Sequence, residues 1–280
     1  MDINYELYKV FYHVANTLSF SEASKQLFIS QSAVSQSIKV LEKKLNQPLF
    51  IRSTKRVQLT PEGEILLKHI EPAMNLIRQG ENQLLEANTL NGGQLRIGAS
   101  DTICRYYLVP YLKEFHRRYP NVHIKVTNQT SIACAKLLES GQVDFAITNY
   151  PNSGLSNTQN VRIIREFKDV FVANDEYKEL KGKTVSLKDL KQFPILMLDR
   201  KSTTSEFLHS MFQRHQLDLV PEIELSSNDL LIDLARIGLG VAFVPDYCIP
   251  ENEHNLFRVQ TEEDLPARQL VVASNESLPI

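Results

Sequence analysis

No run of about eighteen apolar residues occurs in the sequence, so no segment is long and greasy enough to span a bilayer as a helix. The start, Met1-Asp-Ile-Asn-Tyr-Glu-Leu-Tyr-Lys9, has neither a cationic n-region nor an apolar h-region, and no secretory signal is expected. Cysteine is scarce. Cys104, Cys134 and Cys248 are an odd number set far apart, which excludes a disulfide framework. Catalytic signatures are also missing: no Gly-x-Ser-x-Gly elbow, no Gly-x-x-x-x-Gly-Lys-Ser/Thr loop and no His-Glu-x-x-His helix. The seven histidines are scattered without metal-ligand spacing, and no pair of acids is tied to a nucleophile. The expectation is a cytoplasmic protein that is not an enzyme and carries neither metal nor cofactor.

What is present is a soluble, globular composition, 42% hydrophobic and 23% charged, over 280 residues, enough for two or more domains with sizeable cores. Residues 19–46 read as two helices joined by a tight turn. Ala23, Leu27, Ile29, Val34, Ile38, Leu41 and Leu45 can close into one core, supported by a preceding stripe of Leu7, Val10, Phe11, Val14, Ala15 and Leu18. Ser21 is expected to cap the first of the two helices and Ser30 the second. The second helix turns Gln31, Ser32, Ser35, Gln36, Lys39 and Lys43 away from its apolar side. Amide, hydroxyl and ammonium groups suit base edges and phosphates.

Leu49–Arg52 and Val57–Leu59 read as short strands around the turn Ser53-Thr-Lys-Arg56, a cationic hairpin placed like a wing. Residues 1–60 carry eight Lys/Arg against four Asp/Glu, a net of +4; the chain total is −2, which leaves −6 for the rest. From the residues alone, two other readings stay open: a helical subdomain with a solvated face, or a receptor whose N-terminal helices serve only for dimerisation. The basic hairpin favours DNA.

Thr60, Pro61, Glu62 and Glu64 mark the start of a third element running to about Ala87, with Pro72 inside it as an expected kink. Leu66, Ile70, Ala73, Ile77, Gly80, Leu84 and Ala87 alternate spacings of four and three. That is either a heptad seam or a helix packed on its own domain. After Asn91-Gly-Gly93, strand-like and helical runs alternate, which predicts α/β units around mainly parallel sheets. Leu270–Ser274 comes too late for a second sheet and is expected to return to the first. Two α/β lobes follow, joined by crossovers near 163–168 and 261–268. The glycines at 238 and 240 lie after a helix and before a strand, the wrong context for a nucleotide fingerprint, and read as a helix stop and a close approach.

The N-terminal run Phe20-Ser-x-Ala23-Ser-x-x-Leu27, Ser30-Gln-Ser-Ala-Val-Ser35, Ile38, Leu41-Glu42, Leu45, Leu49-Phe50-x-Arg52, Arg56 and Leu59-Thr60-x-x-Gly63 resembles the LysR-type transcriptional regulators. Leu95-x-Ile-Gly98, Leu108-x-Pro110, Tyr119-Pro120, Leu138-x-x-Gly-x-Val-Asp144 and Gly238-Leu-Gly240-Val-Ala-Phe-Val-Pro245 extend the likeness over nearly the whole chain. Ser32 stands where the family pattern often has proline, and Gln36 where it often has arginine. The resemblance implies a winged helix-turn-helix over 1–60, a linker and dimerisation helix over 61–90, and an effector domain over 91–280 of the periplasmic-binding-protein type. Within that domain it implies a first lobe of about 94–163 with 268–280, and a second of about 164–267. It implies promoter DNA read by Gln31, Ser32, Ser35, Gln36 and Lys39, with Arg52 and Arg56 on the backbone, by a homodimer or homotetramer able to meet RNA polymerase. Members commonly continue into a short C-terminal helix, whereas this sequence stops at Glu276-Ser-Leu-Pro-Ile280, so a truncated or unusually short member is expected.

A small-molecule effector is expected between the lobes, at strand ends and helix starts, where free N–H groups attract anions. Ser100, Thr102, Gln129, Thr130, Ser131, Thr148, Ser202, Thr203, Thr204 and Ser226-Ser-Asn228 occupy such places. Ser100, Thr102, Gln129, Thr148, Ser202 and Thr203 are the candidates for a small metabolite bearing a carboxylate, or for an inorganic oxyanion. Each alone fits a helix cap equally well. Arg105, Arg200 and Lys201 are either added charge at that site or surface residues, and Cys104 and Cys134 either a redox pair or buried structural thiols.

Overall fold

The computed structural model describes residues 3–52, 56–87, 93–156, 159–250 and 253–275. It divides into two compact units, Met1–Thr89 and Leu90–Ile280.

In the first unit, α1 (Tyr5–Thr17), α2 (Phe20–Leu27) and α3 (Gln31–Leu45) precede a hairpin of β1 (Phe50–Arg52) and β2 (Val57–Leu59) and the long α4 (Pro61–Ala87). Their apolar stripes meet in a core of Val10, Phe11, Val14, Phe20, Ala23, Val34, Ile38, Leu41, Leu49 and Phe50. Two residues of the expected stripes stay outside it: Leu18 ends α1 in the left-handed region, and Ile29 lies in the turn, 41% exposed. Ser30 caps α3 through the N–H of Ala33. The cap of α2 is Ser19, not Ser21, because Phe20 must already be in the helix to reach the core. Ser19 Oγ accepts from the N–H of Glu22 at 3.2 Å. Thr60 caps α4 through the N–H of Gly63 at 2.9 Å. A Cβ on Gly63 would sit 2.3 Å from the carbonyl oxygen of Leu49, so only glycine lets helix and hairpin approach this closely. Pro72 lies inside α4. Leu66 and Ile70 pack on the unit's own core, whereas Ile77 and Leu84 are exposed.

The second unit holds two sheets. The five-stranded sheet has the order β4 (His123–Asn128), β3 (Gln94–Ala99), β5 (Phe145–Tyr150), β13 (Arg268–Asn275), β6 (Gln159–Phe167). The six-stranded one runs β10 (Ile223–Leu225), β9 (Ile195–Leu198), β11 (Val241–Pro245), β7 (Asp169–Ala173), β12 (Phe257–Thr261), β8 (Thr184–Val185). Both are mixed rather than mainly parallel: β13 runs antiparallel to β5 and β6, and β7 antiparallel to β11 and β12. Strand β6 was not foreseen. It is an exposed edge without clean alternation, so its sequence carries little signal, and it brings the first crossover down to Lys168 between β6 and β7.

Helical elements start at the carboxyl ends of β3, β4, β9 and β10. They are α5 (Asp101–Ile103), running through a π-helical turn (Cys104–Leu108) into α6 (Val109–Arg118), then α7 (Ser131–Glu139), α9 (Thr203–Arg214) and α10 (Asn228–Arg236); the short α8 (Leu187–Leu190) follows β8. The π turn precedes Pro110, which has no N–H to return to the preceding turn. Asp144 explains its place in the sequence pattern: its carboxylate accepts from the backbone N–H of Arg96 at 2.7 Å and the guanidinium at 2.6 Å, locking β3 to the start of β5. Gly238 has a φ of +79°, and a Cβ on Gly240 would lie 2.4 Å from the carbonyl of Pro194, so these glycines stop α10 and admit β9.

Candidate functional site

In the first unit the exposed face of α3 is the candidate nucleic-acid surface. Val34, Ile38 and Leu41 are inside, and Gln31, Ser32, Gln36, Lys39 and Lys43 are exposed on the far side. Ser32 Oγ lies 2.9 Å from Ser30 Oγ, so one expected base-reading hydroxyl shares a hydrogen bond with the cap. Ser35 is half-buried and accepts from the Arg52 guanidinium at 3.1 Å.

That contact gives Arg52 a structural role within the unit. Its guanidinium lies 4.5 Å over the ring of Phe20 and 3.6 Å from the Glu42 carboxylate, while the residue stays exposed. The other carboxylate oxygen of Glu42 accepts from the N–H groups of Leu49 and Phe50. Arg52 and Glu42 therefore fix the angle between α3 and the hairpin. Arg56 is exposed, and the turn residues 53–55 lie outside the described residues.

In the second unit a cavity of about 300 Å³ lies between the two lobes. Five of the six expected effector residues line it: Ser100, Thr102, Gln129, Ser202 and Thr203. Thr148 does not. Strand alternation puts its side chain on the face shared with Ala146, which packs with Cys134 of α7, and Asn149 takes the wall position instead. Residues the sequence reading passed over also line the cavity: Asp101, Asn128, Asn149, Asp199 and Tyr247. Asp101 lies between Ser100 and Thr102, and Asp199 three residues before Ser202, but nothing in the local pattern marked either as a wall residue.

Four N-caps converge here. Ser100, Thr130, Ser202 and Ser227 each accept from the N–H three residues on, which leaves the first two N–H groups of each helical run without an intrahelical acceptor. The lobes are tied across the cavity by Asn228 Nδ2, which donates to Thr102 Oγ1 at 2.9 Å, and by the Tyr106 hydroxyl, which donates to Asp229 at 2.5 Å. Burial, and then that bond to Asp229, push the Tyr106 phenol up. Arg105 is a surface cation paired with Asp229 at 3.5 Å, and neither Arg200 nor Lys201 lines the cavity. At the crossovers, the first residues of β7 and β13 form a fully buried pair, Asp169 and Arg268 at 2.8 Å, with Arg268 also donating to Thr204.

The three cysteines are free, and burial is the first cause that raises each thiol: Cys104 to about 11, with the charge of Asp101 adding, and Cys134 to about 12. That is the opposite of a primed redox thiol. Among the described residues no cluster of His, Cys, Asp and Glu could hold a metal, and no helix is long and apolar enough to cross a membrane.

Two family models match the chain: "LysR substrate binding domain" over residues 88–279 and "Bacterial regulatory helix-turn-helix protein, lysR family" over residues 5–64. A probable RuBisCO transcriptional regulator of Trichormus variabilis is 31% identical over 231 residues, covering 81% of this chain and 68% of the relative. Among solved structures, full-length CbnR complexed with its target DNA is 18% identical over 98% of this chain and 94% of CbnR, with a TM-score of 0.59. The regulatory domain of CcmR from Synechocystis PCC6803, in complex with 2-PG, is 18% identical over 67% of this chain and 90% of that one, with a TM-score of 0.60.

Proposed function

The chain belongs to the LysR family of transcriptional regulators, and from that premise we propose that it binds promoter DNA through α3 and answers to a small molecule bearing an anionic group in its interlobe cavity. The observation that carries the effector half is the convergence of four capped helix starts on one cavity. Their unspent N–H groups and dipoles favour negative charge. Ser100, Thr102, Gln129, Ser202 and Thr203 are the contact residues on this reading, with Asn149 in place of Thr148. CcmR, solved with 2-PG, offers a precedent for a ligand in such a domain.

The DNA half rests on the polar exposed face of α3 in the basic N-terminal unit. Gln31, Ser32, Gln36 and Lys39 read the groove, Ser35 is oriented from behind by Arg52, and Arg56 meets the backbone. The exposed Ile77 and Leu84 of α4 support pairing of two copies as a homodimer; the cytoplasmic location, pairing into a tetramer and contact with RNA polymerase rest on the family reading. A ligand that binds one arrangement of the lobes more tightly would then shift the half-site spacing the dimer prefers.

The test is a gel shift on the intergenic DNA upstream of the chain's own gene, across a salt series, with and without candidate small anions. A specific, salt-steep shift altered by a ligand is expected. Binding to no genomic fragment at all would sink the DNA half.

A further inference from the structure

We infer that Phe28 is an apolar element of base readout, lying in the major groove beside the start of α3 and packing on the 5-methyl group of a thymine. The inference rests on the DNA half of the reading above and extends it to a residue outside the polar face of α3. Phe28 is 95% exposed, the highest value for a large hydrophobic side chain among the described residues. A lone apolar residue on a surface needs no partner in itself. Phe28 differs in what its backbone accepts to keep it there.

It ends α2 in the left-handed region, at φ 55° and ψ 37°. Its N–H donates to the carbonyl of Lys25, and the N–H of Ile29 to that of Ser24. A helix end of this form is the usual place of glycine, which has no Cβ to crowd, or of asparagine. A bulky aromatic there is an outlier. Leu18 ends α1 in the same region, at φ 46°, but at 46% exposure about half of it is covered by the fold. Phe28 gains no such cover. Strain without an internal return points to a side chain held out for a partner.

Position selects that partner. Phe28 precedes Gln31 by three residues, and three residues of chain reach at most about 10 Å. A major groove is about 12 Å wide, so a ring this close to the start of α3 shares the groove that α3 enters. Residues 28–33 are exposed without a break, in a segment, 1–60, whose net charge of +4 suits a polyanion. A phenyl ring carries no N–H, O–H or lone pair, so it gains from DNA by covering apolar surface. The apolar group that base edges present in the major groove is the thymine methyl. Gln31 and Ser32 read polar edges, and Phe28 adds a contact that marks thymine beside them.

The experiment is a gel-shift series with the full chain, wild type and Phe28→Gly. The DNA is the intergenic duplex above, or another genomic fragment that the wild type binds, prepared once with thymine and once with deoxyuridine in its place, which deletes the methyl groups alone. If the wild type binds no DNA, the reading above fails and this inference with it. Otherwise Phe28→Gly is expected to bind the thymine duplex at least about tenfold more weakly, the cost of leaving a phenylalanine's burial unmade. Deoxyuridine should cost the wild type more than the variant, by about fourfold for each methyl the ring covers. The melting temperature of Phe28→Gly should equal or exceed that of the wild type, because glycine relieves the left-handed residue; this separates a lost DNA contact from lost folding. Equal affinities of the two proteins, or equal losses on deoxyuridine, would overturn the inference and leave the DNA reading standing. A lower melting temperature, or a smaller oligomer in sedimentation, would place the ring against protein and overturn it as well.

Discussion

The amide of Asn228 donates to the hydroxyl of Thr102 at 2.9 Å, tying the first turn of α10 in one lobe to the first turn of α5 in the other. The bond uses a cavity hydroxyl as a strut, so a ligand that takes Thr102 must replace it. Thr102→Val and Asn228→Ala should each lower thermal stability by about 1 kcal/mol. Because both remove the same bond, the double variant should cost clearly less than the sum of the two. Strictly additive losses in thermal unfolding would mean that the two side chains do not meet in solution.

The residues proposed to face DNA should separate by kind. Gln36→Ala is expected to relax sequence preference while leaving the salt dependence nearly unchanged, since it carries no charge. Arg56→Ala should weaken binding to all sequences and flatten the salt slope by about one unit. Gel shifts on specific and scrambled duplexes over a salt series distinguish the two. A uniform loss for Gln36→Ala would remove it from the base-reading set.

Arg52 and Glu42 should behave as struts. Arg52→Ala is expected to lower the stability of the N-terminal unit by about 1 kcal/mol, through its bond to Ser35 and its place over Phe20. Glu42→Ala should cost more than Glu42→Gln, because glutamine keeps an acceptor for the N–H groups of Leu49 and Phe50. Thermal melts give the ranking. Equal effects for alanine and glutamine would show that the charge near Arg52 matters and the backbone bonds do not.

Cys104 and Cys134 should be sluggish nucleophiles. With thiol pKa values pushed up to about 11 and about 12, almost none of either is thiolate at neutral pH. Alkylation by iodoacetamide, followed by mass spectrometry, is expected at pH 8.5 to run roughly a hundredfold below an unperturbed cysteine for Cys104 and roughly a thousandfold below for Cys134, and to keep rising up to about pH 11 and about pH 12 respectively. Rapid labelling at pH 7 would restore the case for a redox pair.

The N-terminal unit was largely legible because its signals are local: helical spacing of Val34, Ile38 and Leu41, the cap at Ser30, and Thr60-Pro61 at the start of α4. Even the misplaced cap had its mark, since Ser19 stands three residues before Glu22, the spacing of a capping box. The structural partners of Arg52 left no such mark. Nothing local in the sequence shows that Glu42, ten residues earlier, is brought beside it by the fold. The cleft hydroxyls were legible as strand-end and helix-start residues. Thr148 was not, because it lies within β5, and which face each residue of a doubly covered strand presents is decided by neighbours distant in sequence. Strand β6 owes its existence to a partner, β13, more than a hundred residues later.

That last pairing has a temporal side. On the ribosome the lane between β5 and β6 stays vacant while residues 169–261, the whole second lobe, emerge as a continuous stretch able to collapse first. The first lobe can close only when β13 arrives, and with it Arg268, the partner of the buried Asp169. Until then the inner edges of β5 and β6 offer open backbone to any passing strand. A nascent or clipped chain lacking β13 should therefore carry a folded second lobe and a sticky first one, and completion of the last strand is the step that makes the receptor half of the molecule whole.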